Sequence, residues 1–442
     1  MFATQVLAEF GAAFRLQSLP DDVAHHAKRA VIDWYASVFP GLDAAPVQML
    51  EQALSEDLDH GSARLILGRR ATARTAALIN GAAAHAAEVD DSFRDAMYHP
   101  GAATIAAALA ASQDISASGL DFLRAIVAGY EISTRIGVVL GRPHYQYWHN
   151  TGTVGAFGAA AAVACLYRLD GAAFAHALAT AATFAAGLQQ AFRMDSMSKP
   201  LHPGRAAEAG ILAAMLAKRG LTGSLDVLDG DAGFGKAMSK DADWSCIGAT
   251  LGQAFHIKSL TFKNHIGCGH TFAAIDGALA LQRRHALKPE NIARVRVGTY
   301  KPALDIACYQ DPRTANEARF SLKYVIATAL IHGSVRMAAY EPVRLDDPVV
   351  RAFMQRIDVT VDPELDALFP RQRAARVEIE TSNGKRLHYL QPNRKGDPEL
   401  PLSDEDISGK FIELAGPVIG EAQAKPLLAR LWRVEQAPQI DW

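Results

Sequence analysis

From residue 4 to about residue 219 apolar side chains recur three and four apart, the period of helices that bury one face. Alanine and glycine fill so many of these positions that helix axes can approach closely, as in Val154-Gly155-Ala156-Phe157-Gly158-Ala159-Ala160. Turn signals at Leu19-Pro20-Asp21-Asp22, Gly41, Gly141-Arg142-Pro143 and Gly220-Leu221-Thr222-Gly223 cut the stretch into many helices of moderate length. The uncharged run 151–167 is too weakly hydrophobic to prefer lipid and predicts a buried central helix. Beyond Asp229-Gly230 the period changes. Residues 293–298, 356–361 and 375–380 alternate apolar and polar and predict strands, and Asn383-Gly384 is a favoured hairpin turn. Helical patterns lie between them at 270–281 and 321–331, and Ser403 with Asp406 resembles a capping box that opens two helices reaching about Val434. The expected fold is mostly α: a large all-helical domain over residues 1–255, completed by C-terminal helices within 400–442, and a smaller α+β domain over 256–399 with an antiparallel sheet.

Composition narrows the function. The 442 residues suffice for two or three domains with their own cores. A net charge of -2, from 45 basic and 47 acidic residues without long runs, argues against a nucleic-acid or membrane partner, so any anion site must be local. Cys165, Cys246, Cys268 and Cys308 form no Cys-x-x-Cys, and reduced thiols of a cytoplasmic protein are the simplest reading. Residues 1–19 lack a basic start and carry Glu9 within an apolar pattern, which reads as a helix and not as a secretion signal. The glycines from Gly152 to Gly158 have the wrong spacing for a dinucleotide fingerprint, and neither Gly-x-Ser-x-Gly nor His-Glu-x-x-His occurs. A mechanism without a cofactor is expected.

Candidate chemistry gathers at four predicted helix starts: His99-Pro100-Gly101, His149-Asn150-Thr151-Gly152, Lys199-Pro200-Leu201-His202-Pro203-Gly204, and Lys263-Asn264-His265 through Cys268-Gly269-His270. A helix N-terminus carries unpaired N–H groups and about half a positive charge, so two or three such starts that converge make a site for a small polyanion. Ordinary inter-helix loops are the plainer alternative for any one of them. Acids and imidazoles interrupt the Ala-rich stretch from His85 to Pro100, where His85 and Glu88 are expected to share a helix face with Asp91 one turn on. Those carboxylates would orient a His or Lys; a hydrogen-bonded helix end is the competing reading for Asp90 and Asp91, and a magnesium site is the weaker one. Tyr145, Tyr147 and His149 form a second cluster able to exchange protons. Lys199, followed closely by Pro200 and Pro203, suits a carboxylate anchor or enolate stabiliser with Arg193, Asp195 and Arg205 as neighbours, whereas Cys268 reads best as a packed small thiol.

Taken together, Asn80-Gly81 through His85 and Asp90-Asp91, His99-Pro100, His149 with Thr151-Gly152-Thr153, Lys199-Pro200-Leu201-His202 and Lys263 with Cys268 and Ala274-Ile275-Asp276 resemble the MmgE/PrpD family. The family includes 2-methylcitrate dehydratase, cis-aconitate decarboxylase and iminodisuccinate epimerase. The resemblance covers nearly the whole chain. It implies a helical domain, an α+β lid, a cleft between them, a homodimer and no cofactor. It also implies that His99, His149 and Lys199 line the cleft, with Ser92 where Thr is frequent and Tyr324 supplied by the segment 318–324. Glu88 stands where the dehydratases and decarboxylases usually have Asp, and Phe272 where a His is frequent, with His270 two residues earlier; the second departure counts against decarboxylation.

The expected activity is removal of a proton α to a carboxylate of a small di- or tricarboxylate. An epimerase or isomerase, with Tyr145 and either His149 or Lys199 as bases on opposite faces, is narrowly preferred over a lyase; a non-catalytic carboxylate-binding protein is the alternative of another class. His99, His149, Lys199 and Tyr145 are the catalytic candidates. Glu88, Asp91, Ser92, His202, Lys263, His270 and Tyr324 are the binding candidates, and no metal is expected.

Overall fold

Small side chains set the spacing of the helices. The computed structural model describes residues 1–194 and 196–442 and divides into two units, residues 1–262 with 403–442 and residues 263–402. The first unit contains α1 (Ala3–Phe14), α2 (Asp21–Gly41), α3 (Ala45–Ala53), α4 (Ala73–Ala86), α5 (Pro100–Ile115), α6 (Gly119–Tyr145), α7 (Asn150–Leu166), α8 (Gly171–Phe184), α9 (Leu201–Lys218) and the short α10 (Phe234–Met238). Every residue of α7 is buried, and α5, α6, α8 and α9 surround it. The sequence places this helix correctly because a run without charge and without large side chains can be surrounded on all sides. A Cβ added at Gly204 on α9 would lie 2.2 Å from the Leu78 carbonyl oxygen of α4; one added at Gly152 on α7 would lie 2.4 Å from the Ala186 carbonyl oxygen and 3.0 Å from His202 Cβ. Glycine at 204 lets the start of α9 close on α4, and glycine at 152 lets the start of α7 close on the start of α9.

The first unit is not wholly helical. Strands β1 (Leu58–Arg64) and β2 (Arg70–Ala71) form a short antiparallel ladder that the sequence reading did not anticipate. The two C-terminal helices, Asp404–Ile419 and Glu421–Leu431, belong to this unit, and the capping box at Ser403 and Asp406 is present as expected. Lys410 on the first of them is buried, with Nζ 2.5 Å from Oδ1 of Asp33 on α2 and donating to the Val89 carbonyl oxygen at 2.8 Å.

In the second unit, β3 (Ile292–Thr299), β4 (Ile357–Val361), β5 (Ala375–Thr381) and β6 (Arg386–Gln391) form one sheet in the order β4-β3-β5-β6. The β5–β6 hairpin turns at Asn383-Gly384, as its sequence predicts. The sheet is antiparallel across β3, β5 and β6, but β3 and β4 run parallel. Helical residues between β3 and β4 provide the crossover that a parallel return requires. Helix α11 (Phe272–Arg284) packs on β5 and β6, and helix Leu322–His332 on β4. Among the described residues, no helix is long and apolar enough to cross a membrane.

Candidate active site

Three of the four predicted helix starts converge in the first unit. His99 and His149 are the residues immediately before α5 and α7, and Lys199 and His202 flank the start of α9. The segment that joins them to α4 departs from the sequence reading. Helix α4 ends at Ala86 and Glu88 takes a left-handed conformation with φ of 60°, so His85 and Glu88 do not share a helix face. That turn sends the Glu88 carboxylate to the Lys199 ammonium, with which it forms an ion pair.

His85 lies at the centre of the cluster and is wholly buried. Its Nδ1 is 2.7 Å from Oδ2 of Asp90, and its ring centroid is 4.9 Å from that of His99 and 5.4 Å from that of His149. The His99 Nδ1 donates to the Asp91 carbonyl oxygen at 2.6 Å and lies 3.5 Å from the same Asp90 oxygen that His85 meets. His149 completes the group: its Nδ1 is 3.0 Å from Nδ1 of His202, and the Phe192 ring meets it edge-on at 4.8 Å. The Lys199 ammonium sits 4.8 Å from the centroid of the same Phe192 ring. His144, which no sequence pattern marked, anchors the approach to α7 by a 2.7 Å contact between Nε2 and Thr153 Oγ1, while its Nδ1 donates to Met238 O at 2.9 Å.

The environments of these groups differ. Burial, reinforced by the neighbouring His85, Lys199, His202 and His99, keeps the His149 pKa well below that of a free imidazole. Burial, with His85 and Lys199, also lowers His202 to about 4. For Lys199, burial opposes the charge but Glu88 outweighs it, and the pKa is raised. The ammonium therefore stays charged, which suits it to hold an anion and not to remove a proton. His202 is expected to make one acid-sensitive contribution to the fold: its folded pKa lies below the unfolded value near 6.5, so the contribution to stability is present above pH 6.5 and lost as pH falls through about 4. The stability of a His202→Asn variant relative to the parent is expected to rise on acidification from pH 6.5 to 4, by less than about 1.4 kcal/mol per pH unit because the ring is partly exposed. Urea unfolding across that range measures it, and a difference independent of pH would contradict the assignment.

Asp91 has a structural position. Its Oδ1 accepts the Gly101 N–H at 3.0 Å, capping α5, and its Oδ2 accepts the Tyr130 hydroxyl at 2.8 Å. Burial, then Asp33 and Asp90, raises its pKa to about 8. Ser92 is tied by its backbone to Thr261, Tyr145 ends α6 and contributes to the field at Lys199, and Tyr147 is exposed. Arg205 pairs with Glu208 and Arg193 is exposed, so neither accompanies Lys199; Asp195 lies outside the described residues.

Within the second unit, Lys263 is buried and His265 Nε2 lies 2.8 Å from Asp276 Oδ1. His270 Nδ1 is 2.9 Å from the Tyr300 hydroxyl, and burial with Arg373 and Arg394 keeps its pKa well below the usual imidazole value. Cys268 is a buried thiol four residues before α11 begins, and the Tyr324 hydroxyl is committed to the Ala339 carbonyl oxygen. Phe272 is fully buried, edge-on to His265 at 5.4 Å.

His85, Asp90 and His99 bring one possible metal donor each within 4.8 Å of one another. The short His85–Asp90 contact and the His99–Asp91 hydrogen bond already engage these nitrogens, and the Lys199 ammonium adds positive charge that Asp90 feels. Hydrogen bonding among the side chains accounts for the grouping.

A helical unit that gathers imidazoles and one charged lysine at helix N-termini, followed in sequence by an α+β unit, matches a defined class. Residues 5–247 match the MmgE/PrpD N-terminal domain and residues 265–434 the MmgE/PrpD C-terminal domain, and the chain belongs to the MmgE/PrpD family. Its relatives include the cis-aconitate decarboxylase-like protein oryM of Aspergillus oryzae, 28% identical over 98% of this chain and 93% of that protein. The cis-aconitate decarboxylase of Mus musculus is 25% identical over 98% of this chain and 90% of its own length, and that of Aspergillus terreus 26% identical over 96% and 91%.

Proposed function

We propose that the protein is a lyase that moves a proton at a carbon next to a carboxylate of a small di- or tricarboxylate, without a cofactor and as a cytoplasmic homodimer. The observation that carries the reading is the joining of His85, His99, His149 and His202 beside a charged Lys199 at three helix N-termini. Dipoles and ammonium favour a polyanion, and imidazoles in unlike surroundings can serve as acid and base. The epimerase preference rested in part on Lys199 as a second base. A lysine held charged by Glu88 cannot fill that role, and the relatives named above are decarboxylases or decarboxylase-like. Phe272 lies in the core of its unit, so its departure from the family pattern is a packing difference here and weighs little against decarboxylation.

Two proton inventories fit the site. In dehydration, an imidazole takes the α hydrogen, the C–H electron pair becomes the new double bond, and the hydroxyl leaves with a proton from a second imidazole as water. In decarboxylation, the electron pair of the C–CO₂ bond shifts into the unsaturated acid, CO₂ leaves, and an imidazolium protonates the carbon at the far end. Lys199 would steady the negative charge that develops on the remaining carboxylate. Incubation with cis-aconitate and with 2-methylcitrate in D₂O, followed by NMR, should show loss of CO₂ or water, with one deuteron placed on carbon in the first case. The rate should survive dialysis against a chelator. Deuterium exchange with scrambled configuration and no loss of either group would restore the epimerase reading; no exchange and no product would sink both.

A further inference from the structure

We propose that Asp90, braced by His85, is a positioning residue that makes His99 the proton donor and leaves His149 the proton acceptor; the assignment rests on the reading of the site given above. One carboxylate oxygen does both jobs. Oδ2 of Asp90 is 2.7 Å from Nδ1 of His85 and 3.5 Å from Nδ1 of His99, and Asp90 and His85 are 1% and 0% exposed. The His99 Nδ1 must carry a hydrogen, because its 2.6 Å partner is a peptide carbonyl that can only accept. A negative charge on that side favours a second proton at Nε2, and so an imidazolium ready to give it up. The surroundings of His149 are of the opposite kind. Its neighbours are the His85, His99 and His202 rings and the Lys199 ammonium, all of which discourage a positive charge on it.

The His85 ring stands between the two, 4.9 Å from one and 5.4 Å from the other. Among the described residues, the Lys199–Glu88 pair, Asp91 against the Tyr130 hydroxyl, the Asp33–Lys410 pair behind it, His202 and Tyr145 are further charged or titratable groups around the cluster. Two imidazoles in unlike fields become one acid and one base, the arrangement that a one-way proton transfer needs.

Histidine-labelled NMR of the full chain tests this directly, with His99→Gln and His149→Gln used to assign the two rings. In the parent protein the His99 ring is expected to take up its proton at a pH at least about one unit higher than His149. In Asp90→Asn, which keeps an acceptor for His85 and removes the charge, the His99 midpoint should fall by about one unit or more while His149 moves far less. The limb of the kcat/KM profile at high pH should shift to lower pH by the same amount, with activity largely recovered at acidic pH. A parent in which His149 titrates at or above His99, or a variant that loses activity equally at every pH without moving that limb, would overturn the proposal. If Asp90→Asn does not fold, the order of titration in the parent decides alone. A failure to turn over any polycarboxylate would count against the function, whereas the NMR order judges the pair independently.

Discussion

Replacing His149 with alanine is expected to lower kcat by roughly 10²–10⁴-fold, the range for loss of a general acid or base, with a much smaller change in KM. His149 is 2% exposed and sits where the start of α7 meets His85, His202 and Phe192. The substitution should leave the helix start intact, because the groups that hold it are backbone ones. The His149 N–H donates to Gly187 O at 2.9 Å, and its carbonyl oxygen accepts from Gly152 at 2.8 Å and Thr153 at 3.1 Å. What disappears is the imidazole and its 3.0 Å contact with His202. Steady-state kinetics with the substrate found in the D₂O experiment, together with a thermal melt, separates lost chemistry from lost structure. A folded variant with unchanged turnover would remove His149 from the mechanism.

The largest effect on stability is expected from Lys410→Met, about 3–5 kcal/mol measured by urea unfolding. Lys410 and Asp33 are both buried and form an ion pair, and the same ammonium donates to Val89 O at 2.8 Å. Methionine fills a similar volume but leaves the Asp33 carboxylate in the core without its ammonium, near Asp91, and takes a donor from the Val89 carbonyl. Removing both charges in Asp33→Asn with Lys410→Met should restore part of the loss, since the penalty comes mainly from the uncompensated charge. A single-variant loss below about 1 kcal/mol would show that water or a rearranged neighbour replaces the pair. Val89 directly precedes Asp90, so the same variant is also expected to loosen the segment that presents the carboxylate to His85 and His99.

Much of the fold could be read from local pattern. The starts of α5, α7 and α9, the interior position of α7, the alternating strands β3 to β5, the hairpin at Asn383-Gly384 and the cap at Ser403 all follow from signals within a few residues. The candidate site was legible to the extent that its residues lie at those same starts: His99, His149, Lys199 and His202 meet, as clustered imidazoles and helix N-termini suggested. Glu88 was placed on the wrong element because a left-handed turn at a non-glycine residue has no reliable local signal. Asp91 and Tyr324 carry polar groups that look available in sequence but serve a helix cap and a backbone carbonyl in the fold. His85 was noticed as a polar residue in an apolar run, yet its place at the centre of the cluster could not be inferred from spacing. Phe192, which contacts both His149 and Lys199, lies in a segment without any distinguishing pattern.

By itself, then, the chain's order of residues determined where helices and strands begin and which small side chains permit close packing, because backbone geometry and capping act over one or two turns. Only the tertiary structure decided that β4 returns parallel to β3, that Lys410 reaches Asp33 across 377 positions, and that one oxygen of Asp90 faces two imidazoles. Those arrangements depend on distances between segments far apart in the chain, and the energy of a buried charge is set by whatever packing brings beside it.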